Sequence, residues 1–573
     1  MKRFSGDISL VLGGAAGQGV QTVEALLVAV LKREGYNVFA CKEYMSRIRG
    51  GSNSTSIRIT DKKQSAFVKR IDFLFAMDRD VIPHLQERIT ENTILFGERE
   101  KVCKVSGECH IVNVPFAQFV RELGNPIYTS TVTVGVALGL LGADEEIFET
   151  YLREHFARKG EAVVQKNIEA ARKGYAFGKH LAYHEGIEVH LVKDKAVADE
   201  ILLDGTEALG LGALAAGCNY ISSYPMSPGT GLLTFLAQQG KNFDVVVDQA
   251  EDEIAAINQG LGAWYAGARA IVTTSGGGFD LMTEGISLSG MIETPIVVHI
   301  GQRPGPATGL PTRTEQGDLN LVLHSGHGEF PRAIFAPGTP AEAFFVTQQA
   351  FYIADKYQMP VFILTDQHFL DSVTNLPKNI LQNVKFKNHI VKTMADYKRY
   401  TLTKDGISPR GVPDYGEGLV GVDSDEHDEE AHITENAGTR VAMHEKRLRK
   451  IFGACDEALK PSEIGDVKKS KTLIICWGSN FGVVQEALRI LAGDDVAGLH
   501  FAQVYPLPKN AKKLFAKKKI IVLENNSSGQ FANLLKLEYG VKITKNILKY
   551  DGAPFSVEEV VQKLKQILLD EAL

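Results

Sequence analysis

Residues Asp248–Val298, DQAEDEIAAINQGLGAWYAGARAIVTTSGGGFDLMTEGISLSGMIETPIVV, decide how the rest of the chain is read. They run helix, strand, glycine turn, helix, strand. Ile254, Ile257 and Leu261 recur at helical spacing, and Ala255, Ala256, Gly260 and Gly262 predict faces small enough for close backbone approach. ARAIVTTSGGG predicts a buried strand ending in a glycine turn, whose amides gather at the start of the helix DLMTEGISL. This alternation belongs to an α/β domain, and open α/β sheets bind ligands at such strand ends. Among these small residues stand Glu251, Asp252 and Glu253. A carboxylate drawn into such a region has its pKa raised by desolvation, which suits proton chemistry. The three acids could equally cap a helix N-terminus, where the macrodipole favours them.

At 573 residues the chain is expected to hold three or four domains rather than one core, and it reads as an α/β protein of three α/β domains. The first, residues 1–193, opens with strand ISLVLGG, turn AAGQG and amphipathic helix VEALLVAVLKREGY, and ends in a helical tail. Gly13, Gly14, Gly17 and Gly19 invite a dinucleotide reading, but the spacing is not G-x-G-x-x-G, so a tight packing turn is favoured. A second domain spans 194–375 and ends in YQMPVFILTDQHFLDS. Residues 376–470 mix charge, Gly and Pro with little periodicity and read as a linker or ordered excursion. From 471 to 573, strands TLIICWG and KKIIVLEN alternate with helices in a third α/β domain.

Hydrophobic content of 44%, charged content of 23% and a net charge of −6 carry no basic excess of the kind nucleic-acid binding needs. No apolar run reaches the roughly 18 to 20 residues of a membrane span, and ISLVLGGAAGQGV is broken by glycines where a signal peptide would stay apolar. A cytoplasmic protein is expected. Cys41, Cys103, Cys109, Cys218, Cys455 and Cys476 include no C-x-x-C pair, so neither a disulfide framework nor an iron–sulfur cluster follows.

AEDEIAAINQGLGA, TTSGGGFDLMTEG, SSYPMSPGT and GQRPGPATGLPTRTEQGDL, with GQGVQT and RGGSNSTSIRIT near the start and DEHDEEAHITE in the linker, resemble the alpha subunit of the 2-oxoacid:ferredoxin oxidoreductases with its gamma domain fused at the N-terminus. The resemblance covers nearly the whole chain. It implies a gamma-type domain associated with assembly and coenzyme A, a pyrimidine-type thiamine diphosphate-binding domain, and a transketolase C-terminal-like domain. Glu253 then becomes the carboxylate that bonds the aminopyrimidine of thiamine diphosphate. From the residues alone Glu251 and Asp252 compete for that role. Tyr224, Pro225, Ser275 and Gly276 are implied as further cofactor contacts.

Arg303 follows strand PIVVHIGQ, where a guanidinium could grip a small acid's carboxylate bidentately. The resemblance makes Arg303, Thr312 and Ser227 contacts of the 2-oxoacid. Ser227 stands where many relatives have threonine, and its hydroxyl could instead cap the helix GTGLLTFLAQQG. The loop PGPATGLP holds three prolines and two glycines and is therefore shaped. The acids and histidines from Asp423 to His432 read as a solvated charge run rather than metal ligands, so no metal site is expected.

No G-D-G magnesium–diphosphate motif and no cluster cysteines occur. A beta subunit is therefore expected to bring Mg2+ and a [4Fe-4S] cluster, with ferredoxin as electron acceptor and a dimer of heterodimers as the assembly. The implied reaction is oxidative decarboxylation of a 2-oxoacid with coenzyme A, reversible as the carbon dioxide-fixing step of a reductive tricarboxylic acid cycle. 2-Oxoglutarate is the favoured substrate, with pyruvate and branched-chain 2-oxoacids open. A nucleotide-dependent dehydrogenase, resting on the first glycine turn, and a non-catalytic scaffold subunit are the rival readings.

Overall fold

The strand Asp7–Ala15 is buried from Ile8 to Gly14, as its unbroken apolar run requires of a strand covered on both faces. The computed structural model to which it belongs describes residues 2–570 apart from 46–50, 103–108, 383, 385, 492 and 494. Arg49 and Gly50 of the RGGSNSTSIRIT motif, and Cys103, lie outside the described residues. The other five cysteines are free thiols.

The chain divides into two units. The first comprises Met1–Leu203, Asp371–Ile380 and Ser556–Glu558. Its eight-stranded sheet runs in the order His110–Asn113, Ile94–Gly97, Phe73–Ala76, Asp7–Ala15, Ser52–Thr60, Asn37–Glu43, Val373–Leu376, Ile201–Leu203. The first four are parallel, and the strands beyond Asp7–Ala15 pair antiparallel. Val373–Leu376 thus joins the first unit's sheet from far along the chain. Gly13 and Gly14 complete their strand, as the reading of ISLVLGG expects. A Cβ on Gly13 would lie 2.3 Å from Val81 Cγ1, and one on Gly14 would lie 2.8 Å from Gln18 Oε1. Protein atoms therefore fill the space a pyrophosphate would need at those two positions. The turn itself uses Gly17 and Gly19, both at positive φ.

The second unit comprises Asp204–Leu370, Leu381–Phe555 and Glu559–Leu573. Its seven-stranded sheet is ordered Val246–Gln249, Tyr220–Ser223, Ala270–Ser275, Ile296–Gln302, Pro360–Asp366, Ala333–Phe335, Gln503–Tyr505, and is parallel except for the last pair. A five-stranded sheet follows, ordered Ser462–Ile464, Val496–Phe501, Thr472–Trp477, Lys519–Glu524, Lys545–Leu548. Helix Glu253–Tyr265 buries Ala256, Ile257, Gly260 and Leu261. Gly260 leaves room for Val272 and Ile296 alone, whereas Gly262 faces open space, and Ile254 is 51% exposed. The expected apolar stripe is therefore narrower by one residue at its N-terminal end.

Residues 376–470 are largely irregular but anchored. Glu293 lies between the buried ammonium groups of Lys446, at 2.6 Å, and Lys450, and they hold its carboxyl far below its ordinary pKa. Burial in turn pulls Lys450 down to about 7. Asp355 receives both Arg269 and Arg410. The acid run is only partly solvated: Glu426 pairs with Arg440 and Arg447, and His427 is fully buried against the Tyr400 ring. Asp428, Glu430 and His432 stay toward solvent, their ligand atoms within 4.8 Å of one another. Among the described residues no helix is long and apolar enough to cross a membrane.

Candidate functional site

The carboxyl ends of the parallel strands in the second unit gather the candidate residues. Strand Val246–Gln249 leads into helix Glu253–Tyr265, and here the three adjacent acids separate. Asp252 is the N-cap, its Oδ1 accepting the amide of Ala255 at 2.8 Å. Glu251 is exposed. Glu253 is 3% exposed, and its Oε1 has no hydrogen-bond partner among the described residues. Burial raises its pKa, with the Asp252 charge adding to the rise. The capping reading thus holds for Asp252 and leaves Glu253 unspent.

The predicted glycine turn is already helix: Gly276–Leu281 forms one short helix and Thr283–Met291 a second. The glycines serve carboxylates. A Cβ on Gly278 would lie 2.3 Å from Glu253 Oε1 and 2.2 Å from Thr274 Oγ1. One on Gly276 would lie 2.4 Å from Asp318 Oδ2. Ser275, at the N-cap of the first short helix, caps nothing, and its fully buried Oγ lacks a partner among the described residues. Asp318 Oδ2 is likewise buried and unpartnered. Three orphaned polar atoms, Glu253 Oε1, Ser275 Oγ and Asp318 Oδ2, therefore surround one segment of four residues. Buried polar groups ordinarily find partners, so these atoms have hydrogen-bonding capacity to offer a polar ligand.

Strand Tyr220–Ser223 delivers the loop that holds Tyr224, which is 40% exposed, and Pro225. Ser227 caps nothing: the helix Thr230–Phe243 has Gly229 as its N-cap without a side-chain bond. What Ser227 does supply is its carbonyl, which accepts Arg303 Nη1 at 2.8 Å. Gly229 and Gly301 press this loop onto the strand ends, since a Cβ on Gly301 would lie 2.8 Å from Pro228. Arg303 and Thr312 are half-buried on the loop that follows strand Ile296–Gln302.

That loop is held at both ends. The Leu310 amide bonds the Pro304 carbonyl, and Gly309, at φ 49°, would carry a Cβ only 1.8 Å from the same oxygen. Gln316 is fully buried. Its Nε2 donates to the Trp477 carbonyl, its Oε1 accepts Asn480 Nδ2 and the Asn525 amide, and its carbonyl accepts Asn526 Nδ2. Asn525 and Asn526, without a role in the sequence reading, are thus the far side of a clamp on the loop.

Asp318, Glu315 and Gln316 escaped the sequence reading although they stand in the quoted TEQGDL. Asp318 precedes helix Leu319–His324, where an aspartate reads as a cap. Burial pushes its pKa up to about 7, Glu315 adds to the rise, and Arg303 opposes it.

The family model described as pyruvate flavodoxin/ferredoxin oxidoreductase, thiamine diphosphate-binding, matches residues 211–446, and that described as pyruvate ferredoxin/flavodoxin oxidoreductase matches residues 9–177. The 2-oxoacid:ferredoxin oxidoreductase subunit alpha of Sulfolobus sp is 31% identical over 98% of this chain and 97% of its own. The 2-oxoglutarate oxidoreductase subunit KorA of Mycobacterium tuberculosis is 30% identical over 75% of this chain and 68% of its own. A solved 2-oxoglutarate:ferredoxin oxidoreductase from Magnetococcus marinus, with 2-oxoglutarate, coenzyme A and succinyl-CoA bound, superposes with a TM-score of 0.91 at 29% identity, covering 98% of this chain and 99% of that one.

Proposed function

This chain belongs to the 2-oxoacid:ferredoxin oxidoreductases, matching their alpha subunit over almost its whole length, and from that membership we propose that it oxidatively decarboxylates 2-oxoglutarate with coenzyme A, in a reaction that also runs in reverse. The observation that carries the site assignment is the cluster of three orphaned polar atoms around Ser275–Gly278. Two of them, Glu253 Oε1 and Ser275 Oγ, fit the polar edge of an aminopyrimidine. Thiamine diphosphate, when bound, supplies the carbanion chemistry that a 2-oxoacid needs in order to lose carbon dioxide.

The protein's own part is binding and proton placement. Glu253, whose proton affinity is raised by burial, would hold the aminopyrimidine through Oε1 and exchange a proton with it there. Ser275, Gly276, Tyr224 and Pro225 complete the contacts to the cofactor. Arg303 has one donor fixed by the Ser227 carbonyl, which orients the guanidinium and leaves its remaining donors for the carboxylate of the 2-oxoacid. The hydroxyls of Thr312 and Ser227 assist there. Coenzyme A belongs with the first unit, whose glycine turn borders a cavity of 990 Å³ edged by Lys101, Arg121 and Lys159.

A beta subunit completes the enzyme with Mg2+, the diphosphate site and a [4Fe-4S] cluster, in a dimer of heterodimers that passes electrons singly to ferredoxin. The choice of 2-oxoglutarate is supported by relatives of that name and by the solved neighbour that binds it. The test is to purify the chain with its beta subunit and assay a panel of 2-oxoacids with coenzyme A and a one-electron acceptor. The highest kcat/KM is expected on 2-oxoglutarate. A preference for pyruvate or a branched-chain acid would overturn the substrate, and no turnover with any of them would overturn the reaction.

A further inference from the structure

Asp318 occupies a position whose ordinary task has been taken over. At the N-cap of Leu319–His324 its carboxylate should accept the amide of Asn320 or Leu321, yet it makes no capping bond. Gln530 Oε1, from the clamp side, accepts the Asn320 amide at 2.9 Å instead. Gln530 Nε2 also holds the Gly317 carbonyl at 2.7 Å, and Gln302 Oε1 holds the Asp318 amide at 3.1 Å. The backbone of Asp318 is thus fixed from two sides while its side chain turns back onto Gly276, a position only glycine can fill. Its Oδ2 ends in the cluster of orphaned atoms without a partner. An aspartate released from capping, aimed into the site and left unsatisfied has its partner in the ligand.

The charges that face it decide what that partner asks of it. On its own loop stand Glu315 and Arg303, while Glu253 sits against Gly278, two residues along the short helix from Gly276. Arg303 is the cation that opposes two acids, so an incoming carboxylate adds a third negative charge to a poorly hydrated place. Like charges at close range in low dielectric do not stay ionised together. We propose, on the reading of this site as a 2-oxoacid site, that Asp318 is a substrate-binding residue that takes up one proton from solvent as the 2-oxoacid carboxylate reaches Arg303, and donates it as a hydrogen bond to that carboxylate. The proton sits on Oδ2 in the complex and returns to solvent when product leaves, so none is consumed. A charge-assisted bond between an acid and a carboxylate then replaces a repulsion.

The test uses the complete enzyme with its beta subunit and two isosteres that cannot lose carbon dioxide, N-oxalylglycine for 2-oxoglutarate and oxamate for pyruvate. Isostere binding is followed calorimetrically at pH 8 in buffers of different ionisation heat. Close to one proton per site is expected to be taken up, because a carboxyl titrating at about 7 is mostly ionised there before binding. Glu253→Gln should keep that uptake, and Asp318→Asn should bind without it. In steady state the wild-type KM for the 2-oxoacid should rise about tenfold per pH unit above 7, a slope absent from Asp318→Asn. The wild-type measurement needs no variant to fold. Binding without proton uptake, or uptake abolished by Glu253→Gln but not by Asp318→Asn, would overturn the proposal. Failure of both isosteres to bind, with Arg303→Ala as active as the wild type, would instead bring down the 2-oxoacid reading on which it rests.

Discussion

At the scale of single residues, two carboxylates stay free because neighbours cap in their place: Asp252 relieves Glu253, and Gln530 relieves Asp318. Glu253→Gln cannot hold the proton balance an aminopyrimidine needs, and losses of general-base catalysis are worth roughly a hundredfold to ten-thousandfold. It is expected to depress kcat on that scale while isostere affinity is kept, with Glu251→Gln close to wild type, by steady-state kinetics of the reconstituted enzyme. Arg303→Lys replaces a planar fork by a point charge. Hydrogen bonds to charged groups contribute about 1.5 to 3 kcal/mol, so kcat/KM should fall at least about tenfold, further for Arg303→Ala and less for Thr312→Val. Equal loss on 2-oxoglutarate and pyruvate would mark the shared 1-carboxylate, and loss on 2-oxoglutarate alone the distal one. Asp318 carries a cost as well. Its folded pKa of about 7 lies above the ordinary 3.8, so the unfolded chain ionises first, and stability present below 3.8 is lost as pH rises to about 7. Thermal unfolding should therefore find Asp318→Asn increasingly favoured over wild type from pH 4 to 7, with the gain level above that.

At the scale of elements, the short helix Gly276–Leu281 is a seat for carboxylates. Gly278→Ala puts a methyl 2.3 Å from Glu253 Oε1, an overpacking that costs about 1 to 3 kcal/mol and displaces the acid. Asp252→Ala loses a cap worth about 0.5 to 2 kcal/mol but leaves Glu253 in place. Similar losses in melting temperature with very different losses in kcat are the expected pair of results. The parallel strands and the glutamate helix were legible in the sequence because their apolar runs and small residues have one stable arrangement. Helical spacing put Ile254 on the helix but does not say where the buried face ends. The role of Asp318 was illegible for a different reason: whether an aspartate before a helix caps it depends on Gln530, which is distant in the chain. Helix Ala437–Asp456 lies in the stretch read as a mixed-charge linker, yet Lys446 and Lys450 are buried, and only the fold brings Glu293 between them. Nothing in the four residues of Val373–Leu376 names the sheet they join.

At the scale of the whole molecule, a sequence without a G-D-G motif or a C-x-x-C pair predicts a chain that is colourless and inactive alone. Absorption spectra and turnover of the chain, with and without its beta subunit, check this, and an iron–sulfur band from the chain alone would refute it. The order of its sheets has a further consequence, for the ribosome. Strand Val373–Leu376 lies between Asn37–Glu43 and Ile201–Leu203, so the first unit's sheet lacks an inner member until residue 376 has emerged. About 170 residues separate Leu203 from Val373, and at roughly 5 to 20 residues per second that is a wait of about 10 to 35 s. Throughout it strand Asn37–Glu43 has one unpaired edge, a template on which strands of neighbouring chains add. The interval of synthesis between Leu203 and Val373 is therefore one in which that edge is open to the strands of neighbouring chains.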